Sequence, residues 1–192
     1  MDVPKASDIA IRGAGDPNSE GGEYRRAMSV LYSVACTLRM SCRSNRRIGG
    51  FYDSPLGGFR RQDGVDGIDY PDKSTFRRIS VIRLPEFITE ADPEKAKRPA
   101  SEKKKPDCSK EEFLTINEGL CVQLLHIGSY DDEPASVART DRYPAENGYE
   151  NDFGSGRLRH GICLSDARRV ARDKLKTVIR HPVKRAGKQG TV

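Results

Sequence analysis

One pattern occurs twice in this sequence and limits the folds that it can adopt. In the second copy, an apolar run of strand length at 120–127 is followed by Gly128, two aspartates and Pro134. In the first copy, a short strand pattern at 7–12 is followed by glycines, acidic residues and a helix pattern, at 13–20 and beyond. Glycine permits a positive φ, aspartate caps a helix, and proline suits a first helical turn. The repetition of strand, turn, cap and helix predicts an internally duplicated domain.

The first half contains the clearest helix pattern of the chain. Its apolar residues recur at helical spacing and form one stripe, which predicts a helix from about Ser19 to about Met40. The stripe consists of Tyr24, Ala27, Met28, Leu31, Val34, Ala35 and Leu38. A weak strand at 51–59, interrupted at 55–58, and a loop over 60–75 follow. A strand is predicted from Phe76 to Leu84.

The middle of the chain reads as a connection between two halves. A helix is predicted to open at 87–94 with Thr89 as its cap, and Pro99 is predicted to break or kink it. The lysine run and proline at 103–106 mark a linker.

The second half is predicted to repeat the order of the first. Gly128 ends a buried strand, either Asp131 or Asp132 caps the next helix, and that helix is short or kinked because of Pro144. Asn147-Gly148 closes the helix. Strands follow at 159–164 and 175–180, and His181-Pro182 stops the last one.

These elements predict an α+β fold of two β-α-β-β halves, with antiparallel sheets and helices on one face of them. The domain is expected to cover 7–183, with halves at 7–84 and 113–183 and a linker at 85–112. A basic tail at 184–192 completes the chain. Two such halves side by side predict a ligand cleft along their seam.

Composition excludes several classes of protein. With 35% apolar and 32% charged residues among 192, no run approaches the roughly 20 apolar residues that cross a bilayer. The polar N-terminus lacks the apolar region of a signal peptide, so we expect a cytoplasmic protein without a membrane partner.

The five scattered cysteines are expected to be reduced thiols. From Arg157 onward eleven Lys or Arg face two Asp, which fits either a solvated tail or a surface for an acidic partner.

Other chemistries find less support in the residue spacing. Cys121 and His126, like His160 and Cys163, are an odd number of positions apart, so each pair points to opposite faces of a strand and predicts no metal site. A Cys163 nucleophile would need a histidine from another strand. The glycines at 13–15 lack a phosphate-loop ending, and no cofactor is expected. No helix-turn-helix pattern precedes the first strand, so no direct DNA-binding motif is predicted.

Seven short motifs, in order, resemble the GyrI-like small-molecule-binding family. They are Gly13-Ala14-Gly15-Asp16-Pro17-Asn18, Leu31-Tyr32-Ser33-Val34-Ala35, Leu84-Pro85-Glu86-Phe87-Ile88-Thr89-Glu90, Glu118-Gly119-Leu120-Cys121, His126-Ile127-Gly128-Ser129-Tyr130, Leu164-Ser165-Asp166 and Leu175-Lys176-Thr177-Val178-Ile179-Arg180. The resemblance implies a duplicated β-α-β-β fold with a ligand cleft between the halves. It also implies bulky, often cationic, aromatic ligands, and in some members hydrolysis of cyclopropane-bearing toxins.

The chain departs from the family pattern where the pocket chemistry would lie. The family commonly reads His-His-Glu-Ile-Tyr where this chain has Arg159-His160-Gly161-Ile162-Cys163, and there is no tryptophan. By strand parity Gly161 and Cys163 share one face, so that face loses an acid and an aromatic ring. A desolvated carboxylate favours a cation or acts as a general base, so its loss affects both selectivity and hydrolysis.

The remaining candidates for a ligand-binding wall are Tyr32, Phe59, Glu118 and Tyr130, beside Gly161 and Cys163. Core packing or turn structure is the alternative reading of the first four. The sequence predicts binding of hydrophobic or aromatic small molecules, xenobiotic or drug-like. A hydrolase acting on cyclopropane-bearing electrophiles is the alternative function, and an interaction protein using the basic C-terminal region is a third.

Overall fold

The computed structural model describes residues 1–15, 22–44, 54–62, 75–104, 106–154 and 156–187. The helices in these ranges are α1 (Glu23–Ser44), α2 (Ala91–Lys104) and α3 (Glu133–Glu146). The strands are β1 (Asp2–Val3), β2 (Ala6–Ala14), β3 (Leu56–Gln62), β4 (Phe76–Arg83), β5 (Glu112–Ile116), β6 (Gly119–Ile127), β7 (Tyr149–Asn151), β8 (Arg159–Cys163) and β9 (Lys176–Arg185). Single 3₁₀ turns lie at Tyr130–Asp132 and Arg172–Lys174.

The chain forms two compact units. The first unit is Ala6–Ile116, and the second unit is Met1–Lys5 together with Asn117–Val192. Each unit contains the predicted order of strand, glycine and helix. In the first unit β2 leads through Gly15 (φ 81°) to α1, and in the second unit β6 leads through Gly128 (φ 145°) to α3. The positive φ values explain why glycine stands at both positions.

The first unit packs α1 against an antiparallel sheet in the order β3-β4-β2-β5. The predicted apolar stripe is what makes this contact, since Leu31, Val34 and Leu38 are buried beside Ile9 and Ile82. A stripe at helical spacing forms a helix because one face can leave water while the opposite face stays solvated.

Three predictions for the first unit need correction. Helix α1 begins at Glu23 and ends at Ser44, four residues later at each end than predicted. Strand β3 starts at Leu56, inside the segment that was predicted to interrupt a strand, and runs through positions assigned to a loop. Strand β5 was not predicted, although β2 needs it as its second partner in the register Ile9↔Phe113.

Helix α2 starts later than expected and continues through its proline. Asp92 accepts hydrogen bonds from the Thr89 backbone N–H and hydroxyl, both at 2.9 Å, which fixes the entry to the helix. Pro99 was predicted to break or kink the helix; no break occurs, because α2 extends to Lys104, and the kink stays a prediction. The predicted linker at 103–106 therefore begins inside a helix.

In the second unit β9 is the strand with the most pairing partners. It pairs antiparallel with β6 and β8, and its last residues pair with β7, while β1 adds to β6. The prediction that His181-Pro182 ends this strand is wrong, since β9 runs on to Arg185. Strands β1 and β7 were not predicted. The expectation of a buried strand at 120–127 holds only in part, because Cys121 and His126 are buried while Leu125 and Ile127 are about half exposed.

Helix α3 begins and ends on the predicted signals. Pro134 lies in its first turn, and it closes at Asn147, whose backbone N–H donates to Pro144 O, followed by Gly148 with φ 75°. Asp132 occupies the cap position, but its carboxylate accepts from the Ser129 hydroxyl instead of from the helix. The helix is not shortened by the buried Pro144 and reaches Glu146.

The observed fold is α+β with antiparallel sheets, as predicted from the sequence. None of the described helices combines the length and apolar character required to cross a membrane. The acidic cap predicted at 16–20, the glycines at 49–50, most of the loop predicted at 60–75 and the end of the basic tail at 188–192 lie outside the described residues.

Candidate functional site

The sheet of the second unit has two faces with different surroundings, and strand register decides which residue belongs to which. His126 on β6 and His181 on β9 both contact α3, through Ser136 and Asp141. We call the face that carries them the helix face and the opposite face the open face. Since neighbouring residues alternate, β8 presents Gly161 and Cys163 to the helix face and His160 to the open face.

Gly161 and Cys163 therefore share a face, as the parity argument predicted. Cys163 lies opposite Thr177 on β9, and Thr177 lies opposite His126 on β6, so a thiol, a hydroxyl and an imidazole form one row across three strands. In the next row Gly161 lies opposite Ile179. The helix face is thus built from small and apolar groups around one polar row.

The position of the missing acid opens into space. No described atom outside the adjacent residues lies within 4 Å of the point where a Cβ would stand on Gly161, and the residue is only partly buried. A side chain at 161 would meet no clash there. The glycine thus widens the helix face next to β8 and removes the charge that a glutamate would bring.

Glu118 lies on the other face. Its carboxylate accepts hydrogen bonds from His160 Nδ1 at 3.0 Å and from Arg180 Nη1 at 2.6 Å, and both donors belong to the open face. Burial alone would raise the pKa of Glu118, but the hydrogen bonds and charges of His160 and Arg180 outweigh it and lower the pKa. Glu118 is consequently an ionised, compensated carboxylate, separated from Gly161 by the thickness of the sheet.

Arg157 fixes the turn that carries Glu118. Its guanidinium donates to Glu118 O and Leu120 O, both at 2.7 Å, and pairs with Asp152. These hydrogen bonds hold the backbone at Glu118 in place. From this position the Glu118 side chain reaches His160 and Arg180.

Tyr130 and Tyr32 present their rings to solvent. Tyr130 opens the 3₁₀ turn before α3 and is 40% exposed, and Tyr32 on α1 of the first unit is 41% exposed. Phe59 on β3 is only 4% exposed, so its ring is enclosed by its own unit. The predicted wall residues therefore differ in how accessible they are, with the two tyrosines and Gly161 the more open members.

His126 is committed to the backbone and to α3. Its Nε2 lies 3.0 Å from Ser129 O, and since a carbonyl only accepts, that nitrogen carries the proton. Its Nδ1 lies 2.9 Å from the Ser136 hydroxyl. The imidazole therefore ties β6 to the start of α3, and Cys121 lies on the opposite face of β6. Over the described ranges, no group of three His, Cys, Asp or Glu side chains is placed to hold a metal ion.

The sequence reasoning missed a buried cluster at the other end of the helix face. His181 Nδ1 lies 2.9 Å from Asp141 Oδ1, Arg159 Nη1 lies 3.2 Å from Asp141 Oδ2, and the Arg159 guanidinium stacks over Phe153 at 4.6 Å. Burial lowers the pKa of His181, although Asp141 opposes that shift, so its ring is neutral at pH 7. Burial raises the pKa of Asp141, but His181 and Arg159 lower it by more.

One signal for this cluster was available in the sequence. Arg159, Gly161 and Cys163 share a parity, so the arginine could have been assigned to the face of Gly161. His181 was missed because the predicted last strand, 175–180, ended before it. Continuing that strand by one residue would have placed His181 on the same face as Thr177.

Comparisons with known proteins identify the family and the fold of this chain. The sequence matches the GyrI-like small molecule binding domain family over residues 86–184, just over half of the chain. An uncharacterized conserved protein from Listeria innocua is 34% identical, with 96% of this chain and 90% of that chain covered and a TM-score of 0.88. A hydrolase from Listeria innocua has the same identity and coverage and a TM-score of 0.81.

A more distant match shows the fold alone. The C-terminal domain of EcmrR is 12% identical, with 97% of this chain and 96% of that chain covered and a TM-score of 0.57. No curated protein gives a match. The family match over residues 86–184 defines the chain as a small-molecule-binding domain. The chain belongs to the GyrI-like small-molecule-binding domain family.

Proposed function

We propose that this protein binds hydrophobic or aromatic small molecules, such as xenobiotics or drug-like compounds. The observation that carries the proposal is the space beside Gly161, which lies opposite the apolar Ile179 on the helix face. Membership of a family of small-molecule-binding domains supports it. Ligand pockets are mostly apolar with a few placed polar groups, which is the composition of the helix face.

The partly exposed rings of Tyr32 and Tyr130 are the proposed aromatic contacts. Gly161 and Cys163 provide neutral positions on the helix face, whereas Phe59 is enclosed within the first unit and Glu118 is a fixed carboxylate on the open face. Aromatic rings stack on flat ligands without needing a charge, so this wall suits uncharged compounds.

Fluorescence titration with a panel of environment-sensitive aromatic dyes tests the proposal. The natural chain should show saturable binding, and Gly161→Phe should abolish or strongly weaken it by filling the space. Leu125→Phe is the matched control, since it adds a ring on the open face where Leu125 is 49% exposed. Equal loss in both variants, or no saturable binding by the natural chain, would count against the proposal.

A second candidate function is hydrolysis of cyclopropane-bearing electrophiles. The observation that favours it is the 34% identity to a Listeria innocua protein named a hydrolase. The group best suited to act as base is His160, because Glu118 accepts its Nδ1 proton and leaves Nε2 as the basic nitrogen. Glu118 orients that ring, and its lowered pKa makes it a weaker base than an ordinary carboxylate.

Mass spectrometry separates the two functions. A hydrolase adds one water to a cyclopropane substrate, and both His160→Gln and Tyr130→Phe should then stop turnover in protein that is still folded. Turnover that persists in His160→Gln would remove His160 from the mechanism. If the natural chain binds such a substrate without turning it over, hydrolysis is excluded and small-molecule binding remains as the function.

A further inference from the structure

Strand β6 lies at an edge of the sheet in the second unit. On one side it pairs with β9 from Cys121 to Ile127, and on the other side β1 covers only Gly119 and Leu120. Met1 extends this cover by one residue, because its amine donates to Cys121 O and its carbonyl accepts from Cys121 N, both at 2.8 Å. Beyond Cys121, none of the described residues pairs with this side of β6. We call the segment 123–127 the free edge.

The free edge presents backbone hydrogen-bonding groups to solvent. Cys121 turns its N–H and C=O toward Met1, and in an antiparallel strand the same orientation recurs at every second residue. Gly128, an odd number of residues away, follows the opposite orientation, since its N–H donates to Leu175 O at 3.0 Å. The residues whose N–H and C=O point outward are therefore Gln123, Leu125 and Ile127.

The free edge lacks the features that prevent edge strands from pairing. Natural proteins protect such edges with charged side chains, prolines or bulges. From Gly119 to Ile127, β6 contains no Asp, Glu, Lys, Arg or Pro. Two copies of this edge can approach without bringing like charges together, although the whole chain has a net charge of +6. The edge is therefore suited to another copy of itself.

An apolar surface on the open face continues up to the free edge. Leu125 lies opposite Val178, and Val178 lies opposite Ile162 on β8, so three aliphatic side chains form one row across the sheet. Ile127 and Leu164 extend this surface and are 58% and 48% exposed. Contiguous exposed apolar surface of this kind marks an interaction site.

We propose that two copies of this chain associate by antiparallel pairing of their β6 strands, with Leu125 at the two-fold axis. Leu125 then faces Leu125 of the second copy, and Gln123 of each copy faces Ile127 of the other. Each of these three pairs exchanges two hydrogen bonds, which gives about six in total. A shift of the register by two residues loses at least one pair, either against Met1 or beyond the end of the strand. The length of the free edge thus matches the length that this dimer needs.

Analytical ultracentrifugation of the full chain tests the dimer. The free edge contributes five residues from each copy, fewer than the roughly 20–30 of a standard interface, so the association should be weak and reversible. The mass should rise from that of one chain toward that of two as the concentration increases from about 10 µM to about 1 mM.

Leu125→Lys should weaken the dimer about tenfold or more, because it removes an apolar pair and places two like charges opposite each other. Leu164→Lys is the matched control. It makes the same change at a position of nearly equal exposure on the open face, 48% against 49%, but away from the free edge. Its dimerisation should equal that of the natural chain.

A pair of opposite charges tests the position of the axis. Leu125→Glu alone should weaken the dimer as Leu125→Lys does, whereas an equal mixture of the two variants should associate more tightly than either alone, because opposite charges then meet. In the natural chain, the N–H groups of Gln123, Leu125 and Ile127 should exchange hydrogen several-fold more slowly at about 1 mM than at about 10 µM. This last measurement needs no variant.

Three outcomes overturn the inference. The first is a natural chain that keeps the mass of one copy up to about 1 mM, which would leave the free edge to a different partner. The second is equal dimerisation of Leu125→Lys and Leu164→Lys, which would place the interface elsewhere. The third is hydrogen exchange at the three N–H groups that does not change with protein concentration.

Discussion

Replacing Glu118 by glutamine should destabilise the protein in a way that depends on pH. The carboxylate is 11% exposed and accepts from Arg180 at 2.6 Å and from His160 at 3.0 Å. A hydrogen bond to a charged group contributes about 1.5–3 kcal/mol, and glutamine keeps one acceptor oxygen while losing the charge. We therefore expect a loss of about 2–3 kcal/mol at pH 7, toward the lower end of what breaking a buried pair costs.

The sign of the pH dependence follows from the lowered pKa of Glu118. The unfolded carboxyl titrates near its ordinary pKa of 4.5 and the folded one below it. Its contribution to stability is therefore complete above pH 4.5 and is lost as the pH falls through the folded pKa. The difference between the natural chain and Glu118→Gln should shrink over the same interval, because the natural carboxyl then becomes neutral as well.

Urea unfolding at several pH values measures this difference. Glu112→Gln is the matched control, since Glu112 pairs with Arg12 at 2.8 Å with both side chains more than a third exposed, and such pairs contribute at most about 1 kcal/mol. The reasoning is refuted if Glu118→Gln costs no more than Glu112→Gln at pH 7, or if its cost stays constant down to pH 3.

Three further outcomes are expected. Leu31→Ala should cost about 2–5 kcal/mol in urea unfolding because Leu31 is fully buried, whereas Leu125→Ala on the open face should cost less than about 1 kcal/mol. In NMR titrations the His181 ring should take up its proton below its ordinary pKa of 6.5, because burial lowers that pKa. The contribution of His181 to stability is then complete above pH 6.5 and declines below it. Titration at or above pH 6.5 would contradict this expectation. Gly128→Ala should lower the unfolding temperature by several degrees, because φ is 145° and a Cβ would stand 3.3 Å from His126 Nε2; an unchanged temperature would argue against that strain.

The elements predicted correctly are those whose signal is local. The stripe that includes Leu31 and Val34 needs only its own spacing to specify α1, and Gly128 needs only its φ to end β6. Tertiary packing decided the rest. Pro144 is buried inside α3, and Pro182 lies within β9 opposite Cys121, so in both places the surrounding contacts outweigh the local cost of a proline.

For the candidate site, too, the sequence predicted what depends on local pattern and missed what depends on long-range contacts. Parity placed Gly161 and Cys163 on one face from sequence alone, because alternation is a local property of a strand. Assigning Glu118 to the opposite face required its contacts with His160 and Arg180, which are 42 and 62 residues away in the chain. No local pattern carries information over such distances, so the sequence grouped Glu118 with residues that lie across the sheet from it.

The shared role of β9 affects how this protein is made. Strands β6, β7 and β8 all pair with β9, which follows them in the chain. During translation these three strands leave the ribosome before the strand that they need, and their unpaired edges remain available to other nascent chains in the meantime. Slow passage through the residues before Lys176 would lengthen that interval, so chaperone demand and aggregation should respond to the rate of synthesis in this segment.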